Sequence, residues 1–221
     1  MGMLKTSAVF ALILVAASAI QAMPAAAASA PVGAPRLIDV SVLSERRVSV
    51  KNVSKPASPG TSFFAATIID APVEKLCTII QDYADYPSFM PNMRQARVVH
   101  SAEDYSLVDM TLRVPFGKLR KYRVKMEPRT SERSCRLFWK LVPSEDLKPE
   151  ETIADTSGYW QLTPHPSHRN KTVVEYFVYA NPGSVPLGFG WIEDIISKNA
   201  PPKTLEGLRE KAQEQAQADG G

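Results

Sequence analysis

Between residues 93 and 180 apolar side chains recur at every second position. In 105–114, Val108, Met110, Leu112 and Val114 alternate with Asp109, Thr111 and Arg113; in 134–142, Leu137, Trp139 and Leu141 alternate with Arg136, Phe138 and Lys140. A strand sends successive side chains to opposite faces, so this period predicts a sheet with one face on a core and one in water. Strands are predicted at about 93–100, 105–114, 118–127, 134–142, 157–164 and 171–180, with an earlier apolar, β-prone strand at 61–69. The joining segments carry turn chemistry: Pro115 to Gly117, Arg129 to Arg133, and Pro164 to Asn170. Short joins between six successive strands indicate an antiparallel meander. Residues 143–156 form the longest loop, charged and exposed.

A helical period replaces the alternation on either side of these strands. Val73, Leu76, Cys77 and Ile80 fall at i, i+3, i+4 and i+7, which predicts an amphipathic helix over 72–82, with Pro72 tolerated in its first turn. Pro87 and Pro91 leave room for one short helical turn between them. Toward the C-terminus Trp191, Ile192, Ile195 and Ile196 form an apolar stripe, and a second segment over about 201–216 puts Leu205, Leu208 and Ala212 on one side. Pro201-Pro202 is expected to interrupt or kink any continuous helix there. Residues 38–53 alternate only in part and predict one short strand, followed by a loop at Ser54 to Gly60. The order makes an α+β domain in which a curved antiparallel sheet of about seven strands packs around a long C-terminal helix. Such layers leave a concave, mostly apolar space, the usual form of a small-molecule site.

The first residues read differently. Lys5 precedes an uninterrupted apolar run from Ala8 to Ala17, and small residues continue to an Ala26-Ala27-Ala28 cleavage signal before Ser29. The run is short of the ~20 apolar residues that cross a bilayer, so 1–28 reads as a secretory signal peptide. The division expected is a signal peptide (1–28), an N-terminal extension with a short strand (29–60) and a ligand-binding domain (61–217). The mature protein is then expected outside the cytoplasm, in the periplasm, with secretion as the alternative. Loss of Lys5 lowers the formal charge from +3 to +2, a balance that does not point to nucleic acid. Cys77 lies on the apolar helical stripe and Cys135 opens an apolar strand. An oxidising compartment permits a bridge between them, but spacing does not supply its geometry, and two buried free thiols are the alternative.

Several segments resemble a known superfamily. Ile69-Asp-Ala-Pro-Val-Glu-Lys-Leu76 and Asp82-Tyr-Ala-Asp-Tyr-Pro-Ser-Phe-Met-Pro91 are similar to the polyketide cyclase/Coq10-like branch of the START-like (SRPBCC) superfamily. Gly158-Tyr-Trp-Gln-Leu162 resembles its later G-x-W-x-L strand, and Thr172-Val-Val-Glu-Tyr176 with Asn181-Pro-Gly183 and Pro186 resembles its final strand and the approach to the last helix. Pro202-Lys-Thr-Leu-Glu-Gly-Leu-Arg209 is similar to its C-terminal helix. The resemblance covers roughly 61–212 and implies a helix-grip (Bet v 1-like) fold with a hydrophobic-ligand cavity under the last helix. It does not fix function: members bind lipids, sterols or quinones, and some cyclise polyketides.

Catalytic patterns are missing from the sequence. There is no G-x-S-x-G, H-E-x-x-H or P-loop pattern. His165 and His168 occupy a Pro-rich loop without neighbouring ligands, and His100 ends a strand; no metal or cofactor is expected. Glu74 with Asp82, and Glu193-Asp194, read as solvated helix faces, which leaves Glu175, in an otherwise apolar strand, as the best candidate for a carboxylate on the cavity face. Lys118, Arg120, Lys121, Arg123 and Lys125 form a basic strand, read either as solvated charge that discourages edge pairing or as an attraction for anionic headgroups at a membrane surface. The ligand-binding residues expected are Met110, Tyr122, Trp139, Trp160 and Tyr176 from the strands and Trp191 and Ile195 from the closing helix, with ordinary core packing as the alternative for each. The function expected is non-catalytic carriage, by a monomer, of a lipid, quinone or polyketide-like molecule in the cell envelope. A cyclase or dehydratase using Tyr122, Glu175 or Tyr176, and a protein-interaction module, are the rivals.

Overall fold

The computed structural model describes residues 39–114, 117–144, 147–183 and 199–219. The expected signal peptide, Glu193-Asp194 and the stripe with Trp191 and Ile195 lie outside the described residues. Strand β1 (Ser49–Asn52) pairs with β2 (Thr61–Ile69). Helix α1 (Val73–Gln81) follows, then a 3-10 turn (Tyr83–Asp85), the short helix α2 (Tyr86–Phe89), and strands β3 (Met93–Ser101), β4 (Ser106–Arg113), β5 (Leu119–Ser131), β6 (Ser134–Val142), β7 (Asp155–Pro164) and β8 (Thr172–Asn181). Helix α3 (Ala200–Asp219) ends the fold.

All eight strands form one antiparallel sheet in the order β1-β2-β8-β7-β6-β5-β4-β3. The meander read from the alternation is β3 to β8, and β2 closes against β8 with Ala65 opposite Tyr176. The short strand from the weakly alternating segment is β1, at the edge beyond β2. β5 runs past the turn expected at 129–133, because Thr130 and Ser131 stay in register with Cys135 and Ser134 and shorten the turn to two residues.

The helices cover one face of this sheet. Val73, Leu76, Cys77 and Ile80 of α1 are buried as their spacing requires, as is Ile79. Leu205, Leu208 and Ala212 bury the matching face of α3. The second helical segment expected from about 201 is α3, which begins at Ala200 with Pro201 and Pro202 in its first turn, where a missing N–H has no partner to lose; the stripe before it lies outside the described residues. Pro87 lies inside α2 rather than before it, for the same reason. Gly207 lets α3 cross α2 closely: a Cβ there would lie 2.2 Å from the Phe89 carbonyl oxygen. Lys211 pairs with Asp85 at 2.8 Å, fixing the same crossing from its exposed side. Cys77 and Cys135 are disulfide-bonded, so the alternative of two free thiols is set aside, and α1 is tied covalently to β6.

Candidate functional site

The inward face of the sheet follows from its register. In β5, Tyr122, Val124 and Met126 point inward; in β6, Leu137 and Trp139; in β7, Thr156, Gly158, Trp160 and Leu162; in β8, Val174, Tyr176 and Val178. Trp160 and Tyr176 are direct cross-strand partners, their rings 4.5 Å apart. Trp139 stands opposite Gly158. Because Gly158 has no side chain, the indole lies across β7 and stacks on Tyr176, with centroids 5.5 Å apart and planes inclined by 29°. An added Cβ at Gly158 would fall 2.3 Å from Trp139 Cζ2 and 2.2 Å from the Phe177 carbonyl oxygen. The result is an aromatic floor drawn from three adjacent strands.

Above the floor are two adjoining spaces. The inner one, about 90 Å³, is lined by Met110, Tyr122, Trp139, Trp160 and Tyr176 together. These are the five sequence-derived site residues that fall within the described residues. The outer one, about 150 Å³, shares Tyr122, Tyr176, Met90 and Met93 with it and extends past Leu112, Val114 and Ile153 to Pro182 and the first turn of α3. Tyr86, Met90, Met93 and Met126 also face this interior and were missed by the sequence reading. Met126 was legible, since it continues the inward phase of Tyr122 and Val124. The other three come from the irregular stretch around α2, where no period exists to assign a face. Tyr86 is satisfied within the protein: its hydroxyl donates to the Ile80 carbonyl at 2.7 Å, and its ring meets Phe89 edge to face.

Polar chemistry in the cavity is sparse. Burial holds the Tyr122 and Tyr176 phenols well above the ordinary tyrosine range, and the neighbouring Tyr122 adds to the shift at Tyr176. Both are therefore neutral at ordinary pH, each with an O–H to donate. Arg120 lines the outer space near its mouth, and its guanidinium donates to the Glu150 carbonyl.

The structure corrects the reading of Glu175. It is buried, but it is out of phase with Val174, Tyr176 and Val178 and lies on the opposite face of the sheet, in register with Ala66 and Gln161. There it helps raise the Tyr159 pKa, after burial itself, beside the Phe138–Tyr159–Phe177 row. It cannot serve as a carboxylate inside the cavity. The basic strand also divides. Arg120 turns inward, whereas Arg123 grips Asp109 through two bonds of 2.6 and 3.0 Å and Lys125 pairs with Glu127 at 2.9 Å. Arg123 and Lys125 thus each have an acidic partner on the outward face. In the β7–β8 hairpin, His165 Nδ1 accepts from the Ser167 N–H. Among the described residues no group of three or more His, Cys, Asp or Glu is arranged to hold a metal ion.

The family described as "Polyketide cyclase / dehydrase and lipid transport" matches residues 69–193. A STAR-related lipid transfer protein from Xanthomonas axonopodis superposes with a TM-score of 0.62 at 17% identity, over 75% of this chain and 93% of that one. Human STARD10 gives 0.63 at 16% identity, over 77% and 71%. The Zhui aromatase/cyclase from Streptomyces sp. R1128 gives 0.57 at 11% identity, over 78% and 99%. At these identities the likeness concerns the fold alone. No curated protein matches in sequence.

Proposed function

Because the chain belongs to the polyketide cyclase/dehydrase and lipid transport family and has its START-like, helix-grip fold, we propose that it takes up a hydrophobic small molecule or lipid between sheet and α3 and carries it without transforming it. The observation that carries this reading is the pair of adjoining apolar spaces over the Trp139–Tyr176–Trp160 floor, the outer one lined in part by the first turn of α3. Burial supplies the affinity. At ~25 cal/mol per Å² of apolar surface, a guest that hides a few hundred Å² gains several kcal/mol before the cost of ordering it. The fold relatives named as lipid transfer proteins support carriage. The leader-like first 28 residues support a working place outside the cytoplasm, in the periplasm, where a monomer could collect its guest from a membrane surface. Native mass spectrometry of the purified chain, followed by organic extraction, tests the proposal. A reproducible mass increment that extracts as an apolar compound is expected; a chain that is empty on purification and also ignores fluorescent lipids sinks it.

One observation favours a second reading. Two neutral phenols facing one apolar space could polarise a carbonyl during a cyclisation, and a fold relative is named an aromatase/cyclase. If the extracted compound is converted by the wild-type chain and Tyr122→Phe or Tyr176→Phe abolishes that turnover, carriage gives way to catalysis.

A further inference from the structure

The phenols of Tyr122 and Tyr176 differ from every other buried hydroxyl near the cavity. Tyr86 Oη donates to the Ile80 carbonyl and Thr156 Oγ1 to the Tyr179 carbonyl. Tyr122 and Tyr176 line both spaces, and neither hydroxyl has a hydrogen-bond partner among the described residues. Tyr176 is 6% exposed, and its ring is held by two tryptophans, so its hydroxyl is fixed facing the cavity. A donor left in an apolar interior costs free energy until something accepts from it. None of the described residues supplies that acceptor, and a guest is a natural source.

The site also limits what kind of acceptor fits. A carboxylate or phosphate at this depth would lose its hydration and gain only two neutral donors, a poor exchange for a full charge. Among the described residues the one cation lining either space, Arg120, belongs to the outer space. Size matters as well: the outer space alone, about 150 Å³, holds one benzene-sized ring, so a larger guest must reach into the inner space of about 90 Å³. Resting on the carrier reading, we propose that the guest bears an uncharged carbonyl oxygen at the junction of the two spaces, where it accepts hydrogen bonds from the hydroxyls of Tyr122 and Tyr176, with its apolar body over the aromatic floor. A ring ketone and an acyl ester share this chemistry.

Two matched pairs of probes separate the sources, titrated into the full chain and followed by calorimetry and tryptophan emission. They are 1-tetralone against tetralin, and methyl octanoate against nonane. The carbonyl member of at least one pair should bind more tightly than its hydrocarbon partner. Tyr122→Phe and Tyr176→Phe should each weaken that member by about threefold to tenfold, the usual worth of one neutral hydrogen bond, and leave the hydrocarbon unchanged. Preference for tetralone assigns a ring ketone; preference for the ester assigns an acyl chain. Equal binding within both pairs by the wild-type chain, which needs no variant to fold, overturns the carbonyl inference and leaves the apolar carrier standing. Equal loss of both members on Phe substitution does the same. If none of the four probes binds, the carrier reading falls with it.

Discussion

Gly158→Ala adds one methyl group where the interior has least room for it. The new Cβ would lie 2.3 Å from Trp139 Cζ2 and 2.2 Å from the backbone oxygen of Phe177. The first contact could be relieved by turning the indole, but the second is with the main chain of β8 and requires the strands to part. Overpacking of this kind costs about 1–3 kcal/mol. Turning Trp139 away also forfeits its stack on Tyr176, worth about 0.5–1.5 kcal/mol. A loss of about 2–4 kcal/mol corresponds to a Tm lowered by about 4–16 °C in a chain of this length. Urea unfolding and thermal melts measure it, and tryptophan emission reports the displaced indole. A cycle with Trp139→Leu adds a sharper check. The double variant should be more stable than the two single losses predict, by about 0.5–1.5 kcal/mol, because the ring clash is gone. It should not recover fully, because the Phe177 carbonyl remains in the way. Gly158→Ala within 0.5 kcal/mol of wild type, or strict additivity with Trp139→Leu, would refute the reasoning.

Three further outcomes follow from the packing and the charges. Opening the Cys77–Cys135 bridge, which closes a loop of 58 positions, should cost up to about 4 kcal/mol by chain entropy, read as a lower urea midpoint with reductant that Cys77→Ala/Cys135→Ala reproduces. Gly207→Ala should destabilise the α2–α3 crossing by about 1–3 kcal/mol, despite alanine's better helix propensity, and melting temperatures will show the sign. Asp109 is held below its ordinary 3.8, first by its bond to Arg123 and further by Arg97. Its stabilisation is therefore present above that value and lost as pH falls through the lowered one. Since both partners are substantially exposed, Asp109→Asn should flatten the acid limb of the stability profile below about pH 4 by no more than about 1 kcal/mol.

Most of the sheet was legible because period two is a strict geometric consequence of a pleated strand. Leu137, Trp139 and Leu141 disclosed an inward face before any coordinate did, and Met110, Tyr122, Trp160 and Tyr176 proved to share one space. The same rule placed Glu175 outside that space, since it alternates with Tyr176; the apolar residues around it obscured the phase, because β8 is buried on both faces over its first half. Tyr86, Met90 and Met93 carried no period to read. The pairing of Cys77 with Cys135 was undecidable because it depends on where α1 sits over β6, a tertiary fact. Pro201-Pro202 marked the start of the second helical segment correctly, because proline is tolerated in a first turn and not deeper in a helix.

The two prolines that open α3 bear on what the cavity mouth can tolerate. An ordinary helix start presents a cluster of unbonded amide hydrogens, which hold water tightly and attract anions. Here Pro201 lines the outer space beside Ala200, and the imide nitrogens of Pro201 and Pro202 have no hydrogen to offer. An oily molecule sliding past this threshold strips little bound water from it, and a stray phosphate finds few donors to grip. Two of the donors that a helix start would otherwise present beside the outer space are absent by covalent chemistry.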